Sequence, residues 1–351
     1  MILELEEYDI PLLAGGPANR RFQAPSLGNF PIFPQTGCPG DILNNCFFAK
    51  ANRASKRING TAEAYPGYFA VSLNTSIHTE MTVTNHTALY RINFPRNATT
   101  STGNQTALPY SPLILVDLTD LPESRINGSA EVDGTTGRIT GNGTFHPSFG
   151  LGTYDLHFCA DFSGAPIRGT GVFMNNRAGS HPKNVRITPN GNEPLIPAGA
   201  WTQFHPPEND QILVRVGVSF ISVAQACHNA EFEIPDFGFE KTLEAAKDVW
   251  REKLSVIEVD ATGVSDMLQT VFWSGAYRSM ISPQDYTGEN PLWKSDEPYY
   301  DSFYCIWDSY RSIHPLLTIL DPQSQTLMIR SLIDTYRHEG SITFQKTLST
   351  F

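Results

Sequence analysis

The sequence lacks the features that mark several common protein classes. It has no stretch of about 18 uninterrupted apolar residues, which argues against a membrane-spanning helix. Its formal net charge is −11 and it has no dense run of Lys and Arg, which argues against a nucleic-acid partner. Gly-x-Ser-x-Gly, His-Glu-x-x-His and phosphate-loop patterns are also missing. Their absence removes the common serine hydrolase, zinc protease and nucleotide-binding interpretations.

A signal-peptide pattern is missing as well, because the first seven residues (MILELEE) are acidic and no long apolar run follows them. Glycosylation acceptors of the form Asn-x-Ser/Thr are nevertheless frequent in the first 150 residues, at Asn59, Asn74, Asn85, Asn97, Asn104, Asn127 and Asn142. Each acceptor alone is weak evidence, but seven in one segment favour a secreted, glycosylated lineage. We therefore expect the natural N-terminus to lie before residue 1.

The five cysteines do not form a metal-binding pattern. Cys38, Cys46, Cys159, Cys227 and Cys305 are widely spaced, and no Cys-x-x-Cys occurs. Cys38 and Cys46 could pair across a short loop in an oxidising compartment. Buried or free thiols are the alternative, and the spacing alone does not decide between the two.

The apolar pattern changes once along the chain. Up to about residue 58 it predicts loops rich in Pro and Gly. Short alternating segments separated by turn residues then predict strands at 68–73, 81–84, 88–94, 113–118, 154–162, 171–174 and 212–222. This all-β region is predicted to form a large sandwich. From about residue 237, apolar residues recur at helical spacing and predict helices at 239–257, 264–280, 303–320 and 323–336. Strands followed by helices indicate two domains, 1–235 and 236–351.

The segment 299–315 has the densest mixture of aromatic, acidic and basic side chains. Sugar sites use this mixture, because an aromatic face covers the apolar C–H side of a pyranose while charged groups bond its hydroxyls. Asp308 and Arg311 are three residues apart and would share a face of a helix. The alternative is structural, with Trp307 and Tyr310 in the core and Asp308 and Arg311 as an exposed ion pair.

For three weaker candidate sites we favour a structural role over a functional one. His314 could be a ligand, but a lone His more often packs with a hydrogen bond. Asp296, Glu297 and Asp301 could bind calcium, but they lack the spacing of an EF-hand loop and predict a solvated acidic loop. The third candidate consists of three residues at helical spacing, Trp273, Tyr277 and Arg278. This spacing favours helix packing rather than a functional site.

Five segments resemble glycoside hydrolase family 92. In the β region they are residues 25–31 (PSLGNFP), 66–69 (PGYF) and 81–90 (MTVTNHTALY). In the helical region they are residues 272–280 (FWSGAYRSM) and 307–316 (WDSYRSIHPL). The last segment resembles the highly specific Trp-Asp-Thr-Tyr-Arg-Ala-x-His-Pro-Leu motif of the family.

The resemblance implies a fold, an activity and roles for three residues. It implies an N-terminal β-sandwich (supersandwich) followed by the first helices of an (α/α)6 barrel, which would be incomplete in this chain. Its members are calcium-dependent, inverting, secreted exo-α-mannosidases that trim mannose from N-glycans. By the motif, Asp308 would bind hydroxyls of the terminal mannose, while Trp307 and Arg311 would shape that subsite.

The same resemblance predicts that this chain lacks the catalytic carboxylates. The segments that carry the acid and the base in the family do not occur here, and we expect them beyond residue 351. The family pattern also stops after Gly340, so we expect a fragment truncated at both ends, with most calcium ligands absent. The alternatives are a non-catalytic module that binds mannose or glycans, and an inactive product of a truncated gene.

Overall fold

The computed structural model describes residues 29–99, 106–119, 124–146, 152–188, 196–303 and 306–340. The chain forms two units. The first contains residues 1–148 and 155–243, and the second contains residues 149–154 and 244–351. The division falls inside the helix Phe239–Leu254, whereas the sequence placed the boundary near residue 235.

The first unit consists mainly of strands. They are β1 Ile32–Gln35, β2 Glu63–Tyr65, β3 Tyr68–Ser72, β4 His78–Val83, β5 Thr87–Asn93, β6 Leu113–Asp117, β7 Arg125–Val132, β8 Ile139–Phe145, β9 Tyr154–Ser163, β10 Ile167–Met174, β11 Arg177–Gly179, β12 Asn184–Ile187, β13 Ala198–Phe204 and β14 Gln211–Ser219. Two helices accompany them, the single turn α1 Lys50–Arg53 and the longer α2 Val223–Glu233.

These strands form the predicted β-sandwich. One sheet has five strands in the order β1-β6-β13-β10-β11, and the other has nine in the order β12-β7-β8-β9-β14-β5-β4-β3-β2. In β14, Ile212, Val214, Val216 and Val218 are fully buried at alternate positions, which is the spacing of one face of a strand. Phe30 lies between the sheets, with its ring centroid 4.3 Å from that of Phe158. The fold class predicted for this region is confirmed.

The strand β8 escaped the sequence analysis because glycine supplies two of its inward positions. In β8, a Cβ on Gly141 would lie 2.7 Å from the ring of Phe158, and one on Gly143 would lie 2.8 Å from that of Phe145. The large aromatic rings fill the space above these glycines, so the strand has no apolar alternation to read. The prediction of loops before residue 58 is wrong for β1, whose Pro34 is tolerated because β1 is an edge strand.

Helix α2, which was also missed, packs closely on the nine-stranded sheet. A Cβ on Gly217 of β14 would lie 2.2 Å from the carbonyl oxygen of Ala226, so only glycine permits this approach. Ala226 and Ala230 of α2 are fully buried against the sheet. Ser222 begins the helix by accepting a hydrogen bond from the backbone N–H of Gln225.

A chain of charged residues fixes α2 to the sheet. The carboxylate of Asp161 on β9 lies 2.6 Å from the guanidinium of Arg215 on β14 and 2.6 Å from that of Arg138. Arg138 extends to Glu231 of α2 at 2.6 Å, and Arg215 donates to the carbonyl of Ile234 at 2.6 Å. The buried Asp161 charge is therefore balanced by two cations, as burial of a carboxylate requires.

Two disulfides are present. The Cys38–Cys46 pair confirms the first of the two alternatives left open by the sequence. The Cys159–Cys227 bond joins β9 to α2 and was not predicted, because its cysteines are 68 residues apart and only the fold brings them together. Cys305 lies outside the described residues.

The second unit is mainly helical and corresponds to the start of the predicted helical barrel. Its elements are the continuation of α3 Phe239–Leu254, then α4 Asp266–Arg278, β15 Gln284–Asp285, β16 Tyr300–Asp301, α5 Ile306–Ser309, α6 Ile313–Leu320 and α7 Pro322–Glu339. Three of the predicted helices are confirmed by α3, α4 and α7. The predicted helix 303–320 is wrong as one element, because α5 and α6 are separated by a turn.

Glu233 at the end of α2 provides a test of how α2 is attached to the nine-stranded sheet. Its carboxylate accepts hydrogen bonds from the hydroxyl of Thr84, from the backbone N–H of His86 at 3.0 Å and from Nδ1 of His86 at 2.6 Å. Burial raises the pKa of Glu233, but these hydrogen bonds outweigh burial and hold the pKa below its ordinary value. Glu233→Gln should lower the free energy of unfolding of the sandwich by about 1–2 kcal/mol at neutral pH.

The loss of stability caused by Glu233→Gln should become smaller as the pH falls. Because the pKa of Glu233 is depressed by folding, its stabilisation is present above the unfolded-state pKa of about 4.3 and is lost as pH falls through the folded-state value. Urea unfolding followed by β-sheet circular dichroism should therefore give converging stabilities for the wild type and Glu233→Gln in acid. The control Glu240→Gln removes a carboxylate that is 71% exposed, and should cost less than about 0.5 kcal/mol. A Glu233→Gln deficit that stays constant with pH would contradict this account.

Candidate functional site

Pro315 explains why the segment 303–320 is not one helix. A proline has no N–H to donate to the carbonyl four residues earlier, and its ring clashes with that carbonyl, which here belongs to Arg311. A helix containing Pro315 must therefore begin close before it. α6 begins at Ile313, so Pro315 falls in the first turn, where proline is tolerated. The turn between α5 and α6 contains Tyr310 and Arg311.

The turn leaves the aromatic and charged side chains of this segment at the surface of the second unit. Trp307 is 61% exposed and Tyr310 is 52% exposed, so the interpretation that placed them in the core is wrong. Asp308 and Arg311 are also exposed. We call this set of four residues, 307, 308, 310 and 311, the aromatic–charged turn.

Arg311 bonds to Tyr310 rather than to Asp308. Its Nε donates to the phenolic oxygen of Tyr310 at 2.7 Å, and its guanidinium carbon lies 5.2 Å from the centroid of that ring. Within the residues that the structure describes, the Asp308 carboxylate has no ion pair or hydrogen bond, so the structural alternative of an Asp308–Arg311 ion pair is wrong.

The flanks of the turn are anchored by apolar packing. Tyr300, Phe303 and Leu317 belong to a buried cluster against which Ile306 and Ile313 pack. The side chain of His314 lies inside this support rather than in a metal site, because its Nδ1 is 3.0 Å from Oε1 of Gln325 on α7. The favoured packing interpretation of His314 agrees with this contact. The exposed polar residues of the turn are therefore flanked on both sides by residues that pack in an apolar cluster.

The described residues offer no calcium site. Among them, no three His, Cys, Asp or Glu side chains gather in a way that could hold a metal ion. Of the acidic cluster considered from sequence, Asp301 is fully buried, with its carboxylate accepting the backbone N–H of Ser302 at 2.6 Å. Glu297 pairs with Arg330 at 2.7 Å. The description as a solvated acidic loop is therefore wrong for Asp301, and the residues present do not fit the ion.

A buried polar network behind β16 was missed by the sequence analysis. Trp293 donates from Nε1 to the buried carboxylate of Asp334 at 2.9 Å, and the ring of His338 stacks on Trp293 at 5.1 Å. Tyr299 donates to Asp301 at 3.4 Å, and its pKa is raised, first by burial and then by the charge of Asp301. The carboxylates of Asp301 and Asp334 therefore stabilise the fold around β16.

The third weaker candidate was the group Trp273, Tyr277 and Arg278, and the packing interpretation agrees with the contacts of Tyr277. On α4, the ring of Tyr277 packs edge-on against Trp250 of α3, with centroids 4.5 Å apart. Trp273 is partly buried beside Phe272, whereas Arg278 is exposed. None of the described helices is both long and apolar enough to cross a bilayer.

Comparison with known proteins identifies the class and then the family. The profile of the glycosyl hydrolase family 92 N-terminal domain matches residues 22–219, and that of the family 92 catalytic domain matches residues 225–348. Two consecutive glycosidase domains define the class of protein to which the sandwich and helices belong. The chain is a member of glycosyl hydrolase family 92, as its sequence motifs predicted.

Individual relatives agree with this assignment. An uncharacterized secreted glycosidase of Arthroderma benhamiae is 50% identical over 291 residues, which are 82% of this chain and 37% of the relative. The fold is similar to that of a family GH92 inverting mannosidase from Bacteroides thetaiotaomicron VPI-5482, with TM-score 0.71, 21% identity, and coverage of 90% of this chain and 40% of that one.

A second solved structure was determined with an inhibitor. The family GH92 α-mannosidase BT3965 of Bacteroides thetaiotaomicron, in complex with mannoimidazole, matches with TM-score 0.70 and 17% identity, covering 91% of this chain and 40% of that one. The chain thus spans about two fifths of the length of these relatives.

The different surroundings of two aspartates give a stability prediction. Asp308→Ala should change the free energy of unfolding by less than about 0.5 kcal/mol, because its carboxylate is exposed. Asp334→Ala should cost about 2 kcal/mol, because it leaves the Trp293 N–H without its buried acceptor. Chemical denaturation followed by tryptophan fluorescence measures both. Equal losses would show that Asp308 has a structural role that its exposure does not suggest.

Proposed function

We propose that this chain supplies the part of an α-mannosidase site that recognises the terminal mannose. Three observations support the proposal: membership of family 92, similarity to solved mannosidases, and the aromatic–charged turn. The turn carries the proposal, because it presents an aromatic face, a carboxylate that has no partner among the described residues and a cation on one exposed surface.

Each residue has a chemical role in this proposal. Asp308 accepts hydrogen bonds from neighbouring hydroxyls of the mannose ring, which are charge-assisted and stronger than those between neutral groups. Trp307 covers the apolar face of the ring. Arg311, whose Nε is held by Tyr310, keeps its remaining N–H groups for ring oxygens. We propose mannosides derived from N-glycans as the source of this sugar.

We propose that binding by this chain occurs without turnover. Inverting hydrolysis needs one carboxyl group to protonate the leaving oxygen and another to activate water, about 6.5–9.5 Å apart. The sequence segments in which we expect these two groups do not occur in the chain. We propose recognition of the sugar, rather than supply of the two catalytic carboxylates, as the contribution of the described residues to a family 92 mannosidase site.

We further propose that the chain belongs to the secretory pathway. Disulfides persist in oxidising compartments, and the chain has two. A relative is named as secreted. Four of the candidate glycosylation sites are exposed in turns and loops, namely Asn59, Asn74, Asn85 and Asn97. Asn127 and Asn142 are half-buried on β7 and β8, where they accept hydrogen bonds from Thr144 and Ser129, and Asn104 lies outside the described residues.

Calorimetric titration with mannose and α-1,2-mannobiose tests the proposal. We expect saturable binding that Asp308→Ala weakens by at least about tenfold, because charge-assisted hydrogen bonds contribute about 1.5–3 kcal/mol. Asp266→Ala, which removes an exposed acid from the start of α4, is the matched control and should leave binding unchanged. No mannose should be released from the disaccharide.

Two results would contradict the proposal. Equal affinity in the wild type and in Asp308→Ala would remove Asp308 from the sugar site. Release of mannose that survives in repeated, independent preparations would show that catalytic carboxylates are present after all.

A further inference from the structure

Ser302 has a strained backbone conformation just before the aromatic–charged turn. It directly follows β16, which ends at Asp301, and precedes Trp307 by five residues. Its φ is 61°, in the left-handed region that residues with a side chain rarely adopt. Such a conformation costs free energy and persists only where the surrounding structure imposes it. The contacts around Ser302 must therefore hold it there.

Two side chains bind the backbone of Ser302, one on each side of its Cα atom. The carboxylate of Asp301, which is fully buried, accepts the N–H of Ser302 at 2.6 Å. The hydroxyl of Ser282 donates to the carbonyl oxygen of Ser302 at 2.9 Å. A hydrogen bond to an ionised acceptor is stronger than one between neutral groups, so the bond to Asp301 is the more important of the two.

Asp301 is itself held in place by the neighbours of β16. It lies opposite Gln284 of β15 in the two-stranded sheet. The residue before it, Tyr300, donates its backbone N–H to the hydroxyl of Ser331 on α7 at 2.7 Å. The carboxylate that binds Ser302 therefore has a fixed position in the second unit.

Phe303, the residue after Ser302, connects the two flanks of the turn. It is 2% exposed and belongs to the apolar cluster that contains Leu317 of α6. Its ring centroid lies 6.5 Å from that of His314, which is also on α6. Because Phe303 directly follows Ser302, the backbone direction at Ser302 decides whether this ring can reach the cluster. The conformation of Ser302 thus affects the position of the chain on both sides of the turn.

We propose that Asp301 and Ser302 are positioning residues for sugar binding at the aromatic–charged turn. The Asp301 carboxylate holds Ser302 in its left-handed conformation, and that conformation directs Phe303 into the apolar cluster. The cluster then fixes the two flanks of the turn, so that Trp307 and Asp308 are presented together. Asp301 and Ser302 act through the backbone and do not contact the sugar. This inference rests on the proposed function, because it concerns the same site.

Ser302→Gly and Ser302→Val test the role of the backbone conformation. Both substitutions remove the hydroxyl, but glycine adopts a positive φ readily, whereas β-branched valine strongly disfavours it. The full chain is titrated with methyl α-D-mannoside in a calorimeter. Ser302→Gly should bind within about twofold of the wild type and Ser302→Val at least about fivefold more weakly, because only the fraction of molecules with the turn in place binds sugar.

Asp301→Asn and Asp301→Ala test the role of the hydrogen bond. Asparagine keeps an oxygen that can accept the Ser302 N–H, whereas alanine has none. Asp301→Ala should weaken binding by at least about tenfold, and Asp301→Asn should restore most of that loss. The control is Asp334→Ala, which removes another buried carboxylate of this unit whose bond to Trp293 does not involve residues 301–303. Measured where circular dichroism shows every variant to be folded, Asp334→Ala should leave the affinity unchanged.

A second measurement needs no sugar. In ¹H–¹⁵N NMR of the full chain, the indole N–H signal of Trp307, assigned by its loss in Trp307→Phe, should keep its position in Ser302→Gly and move or broaden in Ser302→Val and Asp301→Ala. If the signal follows this pattern but the wild type binds no mannoside, the proposed function fails and the positioning role stands. The positioning role is overturned if Ser302→Val leaves the Trp307 signal where Ser302→Gly does. It is also overturned if Asp301→Ala and Asp334→Ala weaken sugar binding equally.

Discussion

The attachment of α2 to the nine-stranded sheet depends on one buried carboxylate shared by two arginines. Asp161 is balanced by Arg138 and Arg215, and these two residues in turn reach Glu231 of α2 and the carbonyl that follows the helix. Removing one partner from a buried ion pair typically costs about 3–5 kcal/mol, because the other charge is left without compensation. Close packing over Gly217 and the Cys159–Cys227 bond hold the helix at the same place. Three different interactions thus fix the point at which the chain leaves the sheets.

The class of fold was predictable from the sequence, but its details depended on contacts between distant residues. The apolar pattern placed β5, Thr87–Asn93, to within one residue at each end, whereas the strand predicted at 212–222 runs three residues past the end of β14, Gln211–Ser219. β8 was missed because Gly141 and Gly143 occupy its inward positions, where the space is filled by the rings of Phe158, on β9, and Phe145, at the end of β8 itself. The Cys159–Cys227 bond was missed for a similar reason, since no local pattern connects two cysteines so far apart.

The candidate site shows the same division between local and distant information. Its residues were found from a family motif, and the break before Pro315 follows from the chemistry of proline. Sequence spacing suggested that Asp308 and Arg311 share a face of one continuous helix, and the structural alternative made them an ion pair there. The turn ends that helix and lets Arg311 bond to Tyr310 instead. This difference matters for function. An aspartate that forms no ion pair can accept hydrogen bonds from hydroxyl groups directly, whereas a paired aspartate would first have to break the bonds to its cation.

The central claim is that the turn between α5 and α6 is a mannose-binding surface in this chain as it stands. The most direct test is a crystal structure of the full chain soaked with methyl α-D-mannoside. The account predicts a sugar ring whose C–H face lies against Trp307 and whose neighbouring hydroxyls lie within about 3 Å of the Asp308 carboxylate. A sugar bound elsewhere, with the turn empty at saturating ligand, would contradict the claim.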